Sequence, residues 1–319
     1  MTQGYELPKD FHDTLKLKFD TAINNNDILL SVPTSNEIDH ITVVDSKQSS
    51  STVDVQLTLL ESLVHRPEKG DMAKNPFANP EPELTVVPSY GPENEFALVY
   101  NKFPVVPYHF MLITKEFASQ NSPLAPNELK SVYSILKSLE KGQPEKKWFS
   151  FYNCGPESGA SQPHKHVQFM TLPENFKSYA EQLSNESPGF IPNTTREPLQ
   201  KDGLPHAHFV GVFPDEELTE DDLSMYFTAL LQRTLTVLRE NESSHISYNF
   251  VMTTKYMLMV PRSKAKYNDL GINSCGILGL ILCKNTELLG MVKEAGFATI
   301  LESVGFPSTA GQSTDEYHY

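Results

Sequence analysis

The order of β-prone and helical runs between Phe96 and Met170 limits the fold more than any other feature of this chain. Phe96 to Tyr100 and Val105 to Thr114 read as two strands around the polar tip Asn101-Lys102-Phe103-Pro104. Pro126 to Lys141 reads as a helix, with proline in its first turn, Leu129, Val132, Leu136 and Leu139 on one stripe, and Gly142 as a stop. Trp148 to Tyr152 is a third strand, and a loop punctuated by Gly155, Pro156 and Gly159 leads into a fourth, Pro163 to Met170. Strand, strand, helix, strand, strand builds a compact antiparallel α+β unit.

A second unit loosely repeats the first: strand Ala207 to Phe213, helix Asp221 to Arg239 opened by Thr219 as cap with Asp222 three residues on, then strands Ile246 to Thr253 and Tyr256 to Pro261. The expected fold class is therefore α+β, an antiparallel sheet with flanking helices in two related halves. One domain over residues 1–306 is expected, with a catalytic half over 1–171, a proline-broken connection over 172–204 and a second half over 205–306. The polar tail 307–319 is expected to be mobile. Smaller expectations are a packing helix within Pro8 to Leu30, strands Ile38 to Val44 and Val53 to Leu59, an extended loop Asp71 to Pro88, a buried strand Gly276 to Cys283, and closing helices Thr286 to Ala295 and Ala298 to Val304.

Charge and cysteine content narrow the function classes. A net charge of -14 argues against general nucleic-acid binding, which wants a broad basic face, so an anionic ligand must find a local basic cluster. Three cysteines, an odd and sparse set, favour a reducing compartment over a disulfide framework. No apolar run approaches the ~20 residues of a membrane span. The expectation is a soluble cytoplasmic protein without a membrane or nucleic-acid partner, nuclear presence being left open.

The chemistry concentrates between Asn153 and Met170. Side chains alternate along a strand, so His164, His166 and Gln168 share one face while Lys165, Val167 and Phe169 share the other. Backbone N–H groups of the Gly159-Ala160-Ser161-Gln162 loop can turn toward phosphate oxygens, and a neutral imidazole is a competent nucleophile at neutral pH. His166 is the candidate nucleophile, His164 would orient it, and Gln168 would donate a hydrogen bond without competing for the proton. A metal pair with Cys154 nearby, or structural histidines, explains His-x-His equally well at this point, although no Cys-x-x-Cys pair supports a structural zinc. Lys102 on its hairpin is a candidate phosphate contact or a solvated lysine. His206 and His208 form another His-x-His without a preceding glycine-serine loop, and read as structural.

The run Phe151-Tyr152-Asn153-x-Gly155-Pro156-x-x-Gly159-Ala160-Ser161-Gln162-Pro163-His164-Lys165-His166-x-Gln168 resembles the diadenosine tetraphosphate phosphorylases, or ATP adenylyltransferases, of the galactose-1-phosphate uridylyltransferase branch of the histidine-triad superfamily. Asn75-Pro76-Phe77, Asn101-Lys102-Phe103, His109 with Leu112-Ile113-Thr114, Tyr248-Asn249, Val260-Pro261-Arg262-Ser263 and Asn273-Ser274-x-Gly276 resemble that family in the same order. The resemblance implies a histidine-triad-like fold and phosphorolysis of diadenosine tetraphosphate. His166 would attack the α-phosphorus and release ATP, and inorganic phosphate would take the AMP unit from adenylyl-His166 to give ADP. Adenylyl sulfate is a further substrate it suggests.

On the same resemblance, Asn153 and Gly159 to Gln162 would cradle the phosphates, Asn101 and Lys102 would approach them, and Asn273, Ser274, Cys275 and Lys284 carry over as substrate contacts. Leu280 stands where the family often has methionine. A family phosphate-binding lysine is not matched, because Ser49 to Leu59 holds none; Lys47 or Gln56 would stand in. The implied partners are small molecules: a dinucleoside polyphosphate, ATP, ADP and inorganic phosphate. A divalent cation, Mg²⁺, would travel with the polyphosphate, with no protein-bound metal expected. A hexose-1-phosphate uridylyltransferase and a noncatalytic dinucleoside polyphosphate sensor are the competing functions.

Overall fold

Phe11, Leu15, Phe19 and Ala22 recur at helical spacing, and α1 (Phe11–Asn24) buries all four. In this computed structural model, residues 4–312 are described except 32, 45–49, 62–74 and 187–196. After α1 come β1 (Ser35–Val44), β2 (Ser50–Leu59), β3 (Thr85–Tyr90), β4 (Phe96–Tyr100), β5 (Phe110–Thr114), α2 (Pro126–Gly142), β6 (Trp148–Cys154) and β7 (His166–Thr171). α3 (Tyr179–Glu186), β8 (Phe209–Val212), α4 (Glu220–Glu240), β9 (Tyr248–Met252) and β10 (Tyr256–Pro261) continue the chain. It closes through the short strands β11 (Lys266–Tyr267) and β12 (Leu270–Gly271), then α5 (Ser274–Leu278), β13 (Leu280–Cys283), α6 (Thr286–Ala295) and α7 (Phe297–Val304).

Eight strands form one sheet in the order β3-β4-β5-β7-β6-β9-β10-β8. Every neighbour pair in it is antiparallel. The repeat seen in the sequence becomes a spatial one: β5, α2, β6 and β7 match β8, α4, β9 and β10 in order, and the halves meet along β6 and β9 from Ser150↔Met252 to Cys154↔Tyr248. One face of the sheet is covered by α1, α2 and α4, whose stripes close a core around Phe110, Val167 and Phe169. Thr219 caps α4, its hydroxyl accepting from the Asp222 N–H while the Asp222 carboxylate accepts from the Thr219 N–H. At α2, Pro126 occupies the first turn and Glu128 accepts the Ala125 N–H.

The opposite face of the large sheet looks onto a second, three-stranded sheet, β1-β2-β13. β1 and β2 pair antiparallel, but β13 joins β2 in parallel, Leu280 opposite Gln56 and Cys283 opposite Leu59. Val53, Val55, Leu57 and Ile281 point away from the gap between the sheets and pack with α6 and α7. Gln56, Thr58, Leu280 and Leu282 point into it.

Several boundaries differ from those expected. The segment read as a loop from Asp71 to Pro88 ends in β3, an edge strand, and Pro88 sits there because an edge strand need not donate at every residue; residues 71–74 lie outside the described residues. Only Phe110–Thr114 of the expected strand Val105 to Thr114 pairs with its neighbours, and Val105 to Pro107 instead form a wall of the gap. The expected strand Gly276 to Cys283 divides into α5 and β13, because Asn273 caps a helical turn that ends at Gly279 with φ +105°. Within the expected connection 172–204 a helix, α3, docks on the sheet. Of the tail expected to be mobile, residues 307–309 are tied down: Pro307 bridges to His206, the Ser308 N–H donates to Pro205 O at 2.9 Å, and the Thr309 hydroxyl donates to Gln200 at 3.1 Å. Residues 313–319 lie outside the described residues. Among the described residues, no helix is long and apolar enough to cross a membrane.

Candidate active site

β7 delivers His166, Gln168 and Met170 to the face of the large sheet that looks toward the small one, while Val167 and Phe169 enter the helix-covered core. Lys165 also turns away and forms a buried ion pair with Glu128 at 2.7 Å. His164 precedes the strand and reaches it through an isolated bridge to Ser119. The alternation expected from the sequence is therefore present.

His166 is buried, with the Phe77 ring centroid 5.1 Å from its own. Its Nδ1 lies 2.8 Å from the carbonyl oxygen of His164, so Nδ1 carries the proton and donates, and Nε2 keeps its lone pair. Burial lowers the pKa to about 4, so the imidazole is neutral at physiological pH. His164 is held from both sides. Its Nε2–H donates to Thr114 O at 2.8 Å and its Nδ1 accepts from the Asn75 amide at 2.9 Å, while Asn75 Oδ1 accepts the Phe77 N–H at 3.1 Å.

A second histidine fixes Gln168. His109 Nε2 lies 3.0 Å from Gln168 Oε1, and its Nδ1 lies 3.4 Å from the Asn101 amide. With its oxygen engaged, Gln168 presents its NH₂ to the gap as a donor. Asn153 is oriented the same way: its Oδ1 accepts from Ser274 N at 2.9 Å, Ser274 Oγ at 2.7 Å and Asn249 Nδ2 at 2.8 Å, which leaves its own NH₂ for the gap.

Two cavities meet at this face. One, about 490 Å³, lies between the sheets and is lined by Gln56, His109, Asn153, Gly159, Gln168 and Leu280 among others. The other, about 320 Å³, is lined by Phe77, Glu81, Lys102, Gln162, His166 and Gln168 among others. Asn101, Phe103, Ser161 and Gln168 line both; the nucleophile candidate His166 lines the smaller one, two residues from the shared Gln168. Glycine is required in the connecting loop: Gly159 has φ +78°, and a Cβ there would lie 2.8 Å from Ile272 O. Ala160 sits half-buried between Gly159 and Ser161, and Gln162 carries a buried Oε1 without a hydrogen-bond partner.

Not every predicted residue takes the expected position. Lys102 lines the smaller cavity but is ion-paired with Glu81 at 2.8 Å, which cancels the local charge expected of it. Ser274 is fully buried against Asn153 and Tyr152 and supports the lining rather than forming it. Lys284 follows the last residue of β13 and lines neither cavity. Asn273, Cys275 and Leu280 do line the larger one, and burial pushes the Cys275 thiol up to about 12, which keeps it protonated. Gln56 faces this cavity as the alternative to a lysine; Lys47 lies outside the described residues. Cys154 projects from the other face of β6 into the core, so it does not join the histidines as a ligand. Among the described residues, no group of three or more histidine, cysteine or acidic side chains is placed to hold a metal ion.

Gln120 was not legible beforehand. The β6–β7 ladder ends at Phe151↔Gln168, and two steps further in that register Asn153 would lie opposite His166. The Gln120 carboxamide fills the place of those missing bonds, accepting from His166 N at 2.8 Å and donating to Asn153 O at 2.9 Å and His166 O at 3.3 Å. His206 and His208 are fully buried, His208 Nε2 accepts the Lys201 N–H at 2.7 Å, and neither lines either cavity.

The comparisons with known proteins agree with this geometry. Residues 27–184 match the family described as the Ap4A phosphorylase N-terminal domain, and residues 202–307 match the ATP adenylyltransferase C-terminal domain. The chain is 40% identical over 292 residues to diadenosine 5',5'''-P1,P4-tetraphosphate phosphorylase 2 of Saccharomyces cerevisiae, covering 86% of this chain and 90% of that one. The chain belongs to the Ap4A phosphorylase family. It is 35% identical to Protein APA1 of the same yeast, over 98% of this chain and 99% of that one. The crystal structure of yeast Ap4A phosphorylase Apa2 in complex with AMP superposes with a TM-score of 0.82 at 36% identity, covering 97% of this chain and all of that one. That of the same yeast enzyme in complex with Ap4A gives 0.81 at 35% identity, covering 96% of this chain and 100% of that one. Membership makes this chain an enzyme of the nucleotidyltransferase class with an α+β fold. The two matched regions correspond to the two halves of the sheet, and the site draws Asn153 from the first and Asn249 and Ser274 from the second.

Proposed function

We propose that this chain phosphorolyses diadenosine tetraphosphate to ATP and ADP through a covalent adenylyl-His166. The observation that carries the reading is the state of His166: a buried, neutral imidazole whose Nδ1 proton is committed to the His164 carbonyl, lining the smaller of two cavities that share Gln168. Nε2 attacks the α-phosphorus of one adenylyl unit, a P–N bond forms, and the bond from that phosphorus to the bridging oxygen breaks. ATP leaves. Inorganic phosphate then attacks the same phosphorus, the P–N bond breaks, ADP forms and the imidazole regains its lone pair.

A polyphosphate leaving group is weakly basic and needs no strong acid, so the amide of Gln168 suffices where an alkoxide would require one. The NH₂ groups of Asn153 and Gln168 and the backbone N–H groups from Gly159 to Gln162 are fixed donors for the phosphoryl oxygens, set before the substrate arrives. Adenylyl sulfate enters the same first step with a still less basic leaving group. Mg²⁺ would be held by phosphate oxygens and water; the lining offers it amide and hydroxyl oxygens and the Glu81 carboxylate, and no step above runs through it. The buried free thiols Cys154, Cys275 and Cys283 suit a reducing compartment such as the cytoplasm.

The test is incubation with diadenosine tetraphosphate, with and without inorganic phosphate, resolving the nucleotides by chromatography. ATP plus ADP formed only with phosphate, and lost in His166→Ala, supports the reading. AMP plus ATP without phosphate would mean hydrolysis, and full activity in His166→Ala would remove the intermediate.

A further inference from the structure

A site for a polyanion would ordinarily be lined with lysine or arginine. Here, among the described residues, no lysine or arginine lines the larger cavity, and Lys102 in the smaller one is ion-paired with Glu81. A fixed positive charge lies buried behind the larger cavity, one hydrogen bond from Asn249. Arg262, 0% exposed, donates from Nε to Val304 O at 3.1 Å, from Nη1 to Ile272 O at 2.9 Å and to Asn249 Oδ1, and from Nη2 to Lys264 O at 2.6 Å.

All four acceptors are neutral. Among the described residues no carboxylate forms an ion pair with this guanidinium; Glu157, the carboxylate felt there, accepts the Ala265 N–H at 3.1 Å instead. A buried charge without a counterion is expensive, and small neutral dipoles compensate it only in part. One of these dipoles leads directly to the site. Asn249 accepts the Arg262 hydrogen bond on Oδ1 and donates from Nδ2 to Asn153 Oδ1 at 2.8 Å, and Asn153 presents its own NH₂ to the larger cavity. Each carboxamide in that chain points its positive end away from the guanidinium and toward the cavity, so the two polarise one another in the same sense.

We propose that Arg262 is a positioning residue that supplies the positive potential of the phosphate cradle through Asn249 and Asn153, with the bound anion as its counterion. The inference rests on the reading of the larger cavity as a polyphosphate site. It adds positive potential to a larger cavity whose described lining carries no lysine or arginine: the charge sits where it cannot be neutralised by solvent ions or drawn to a surface carboxylate.

The path from guanidinium to ligand spans two carboxamides and three hydrogen bonds, roughly 10 Å, so at an effective dielectric of ~20 the charge is worth roughly ten-fold in affinity for each nearby ligand charge. The experiment is calorimetric titration of ADP and of adenosine into the parent, Arg262→Met and Asn249→Asp. The second variant retains the arginine and sets a carboxylate against it, so the fold keeps a compensated pair while the charge seen from the cavity is cancelled. Expected is a parent preference for ADP over adenosine that falls at least ten-fold in every variant that folds, with adenosine affinity within about three-fold of the parent. A merely structural arginine would weaken both ligands alike. An ADP-to-adenosine ratio unchanged in Asn249→Asp, or a parent that binds ADP no more tightly than adenosine, overturns the proposal. Because the probes bind without turnover, absence of diadenosine tetraphosphate phosphorolysis in the parent would refute the proposed reaction and leave this result legible by itself.

Discussion

Replacing Gln120 by methionine keeps the volume of a residue that is 2% exposed and removes its carboxamide. Three hydrogen bonds go with it, to His166 N, His166 O and Asn153 O. The main-chain bonds that hold the segment, Tyr152 Oη to Gln120 O at 2.9 Å and Gln120 N to Pro163 O at 2.9 Å, remain. The His166 N–H and the Asn153 carbonyl are then buried without partners, and at about 1–3 kcal/mol each the variant loses about 2–5 kcal/mol of stability. The strand ends relax toward each other, carrying His166 with them. A displacement of ~1 Å in a nucleophile costs on the order of 100-fold in rate. Urea denaturation measures the first effect, and rapid-quench trapping of adenylyl-enzyme from diadenosine tetraphosphate measures the second. Substrate affinity should change little, since Gln120 lines neither cavity. A variant that is destabilised as expected yet forms adenylyl-enzyme at the parental rate would show that the Gln120 carboxamide does not set the position of the imidazole.

Three further outcomes are expected. Glu128→Gln leaves Lys165 buried without its counter-charge and should cost about 3–5 kcal/mol in urea denaturation; a loss below 1 kcal/mol would contradict the pair. His166 and His208 are each lowered to about 4 in the folded protein from an ordinary 6.5, so the unfolded chain binds protons more readily between those values. Stability is therefore intact above pH 6.5 and falls as pH drops toward 4, by about 3 kcal/mol per histidine, and a melting temperature flat across that range would refute the assignment. His206 is fully buried with both ring nitrogens unpartnered, so His206→Leu should leave the melting temperature unchanged or raised and turnover near parental; a loss of activity would place it in the site after all.

Local pattern carried much of the fold and little of the site's support. The α2 stripe, Leu129, Val132, Leu136 and Leu139, is buried in full, because an amphipathic period needs only its own residues to be read. The His166 and Gln168 face was legible for the same reason, alternation being a property of one strand. What failed was non-local. Val105 to Pro107 have strand composition yet line a cavity, since among the described residues no strand pairs with them, and the parallel pairing of β13 with β2 joins segments far apart in sequence. Gln120, Asn249 and Arg262 are buried polar residues whose partners lie on other elements, so neither periodicity nor local motif chemistry exposes their roles. The Lys102–Glu81 pair likewise became visible only when the fold brought two loops together. His109 belonged to a recognised motif, but its bond to Gln168 needed the β5–β7 register.

The parallel strand β13 also has a temporal meaning. Gln56 and Thr58 leave the ribosome early, whereas Leu280, which completes the wall beside them, follows roughly 200 residues later, on the order of 10–40 s of synthesis at ordinary elongation rates. Throughout that interval β2 has only β1 beside it and exposes an unpaired edge. The nascent chain therefore carries His166 well before the wall formed by β13 closes the larger cavity. A chain released before residue 280 would hold His166 on a half-built shelf with the β2 edge unpaired, the kind of exposed edge that chaperones and quality-control proteases meet.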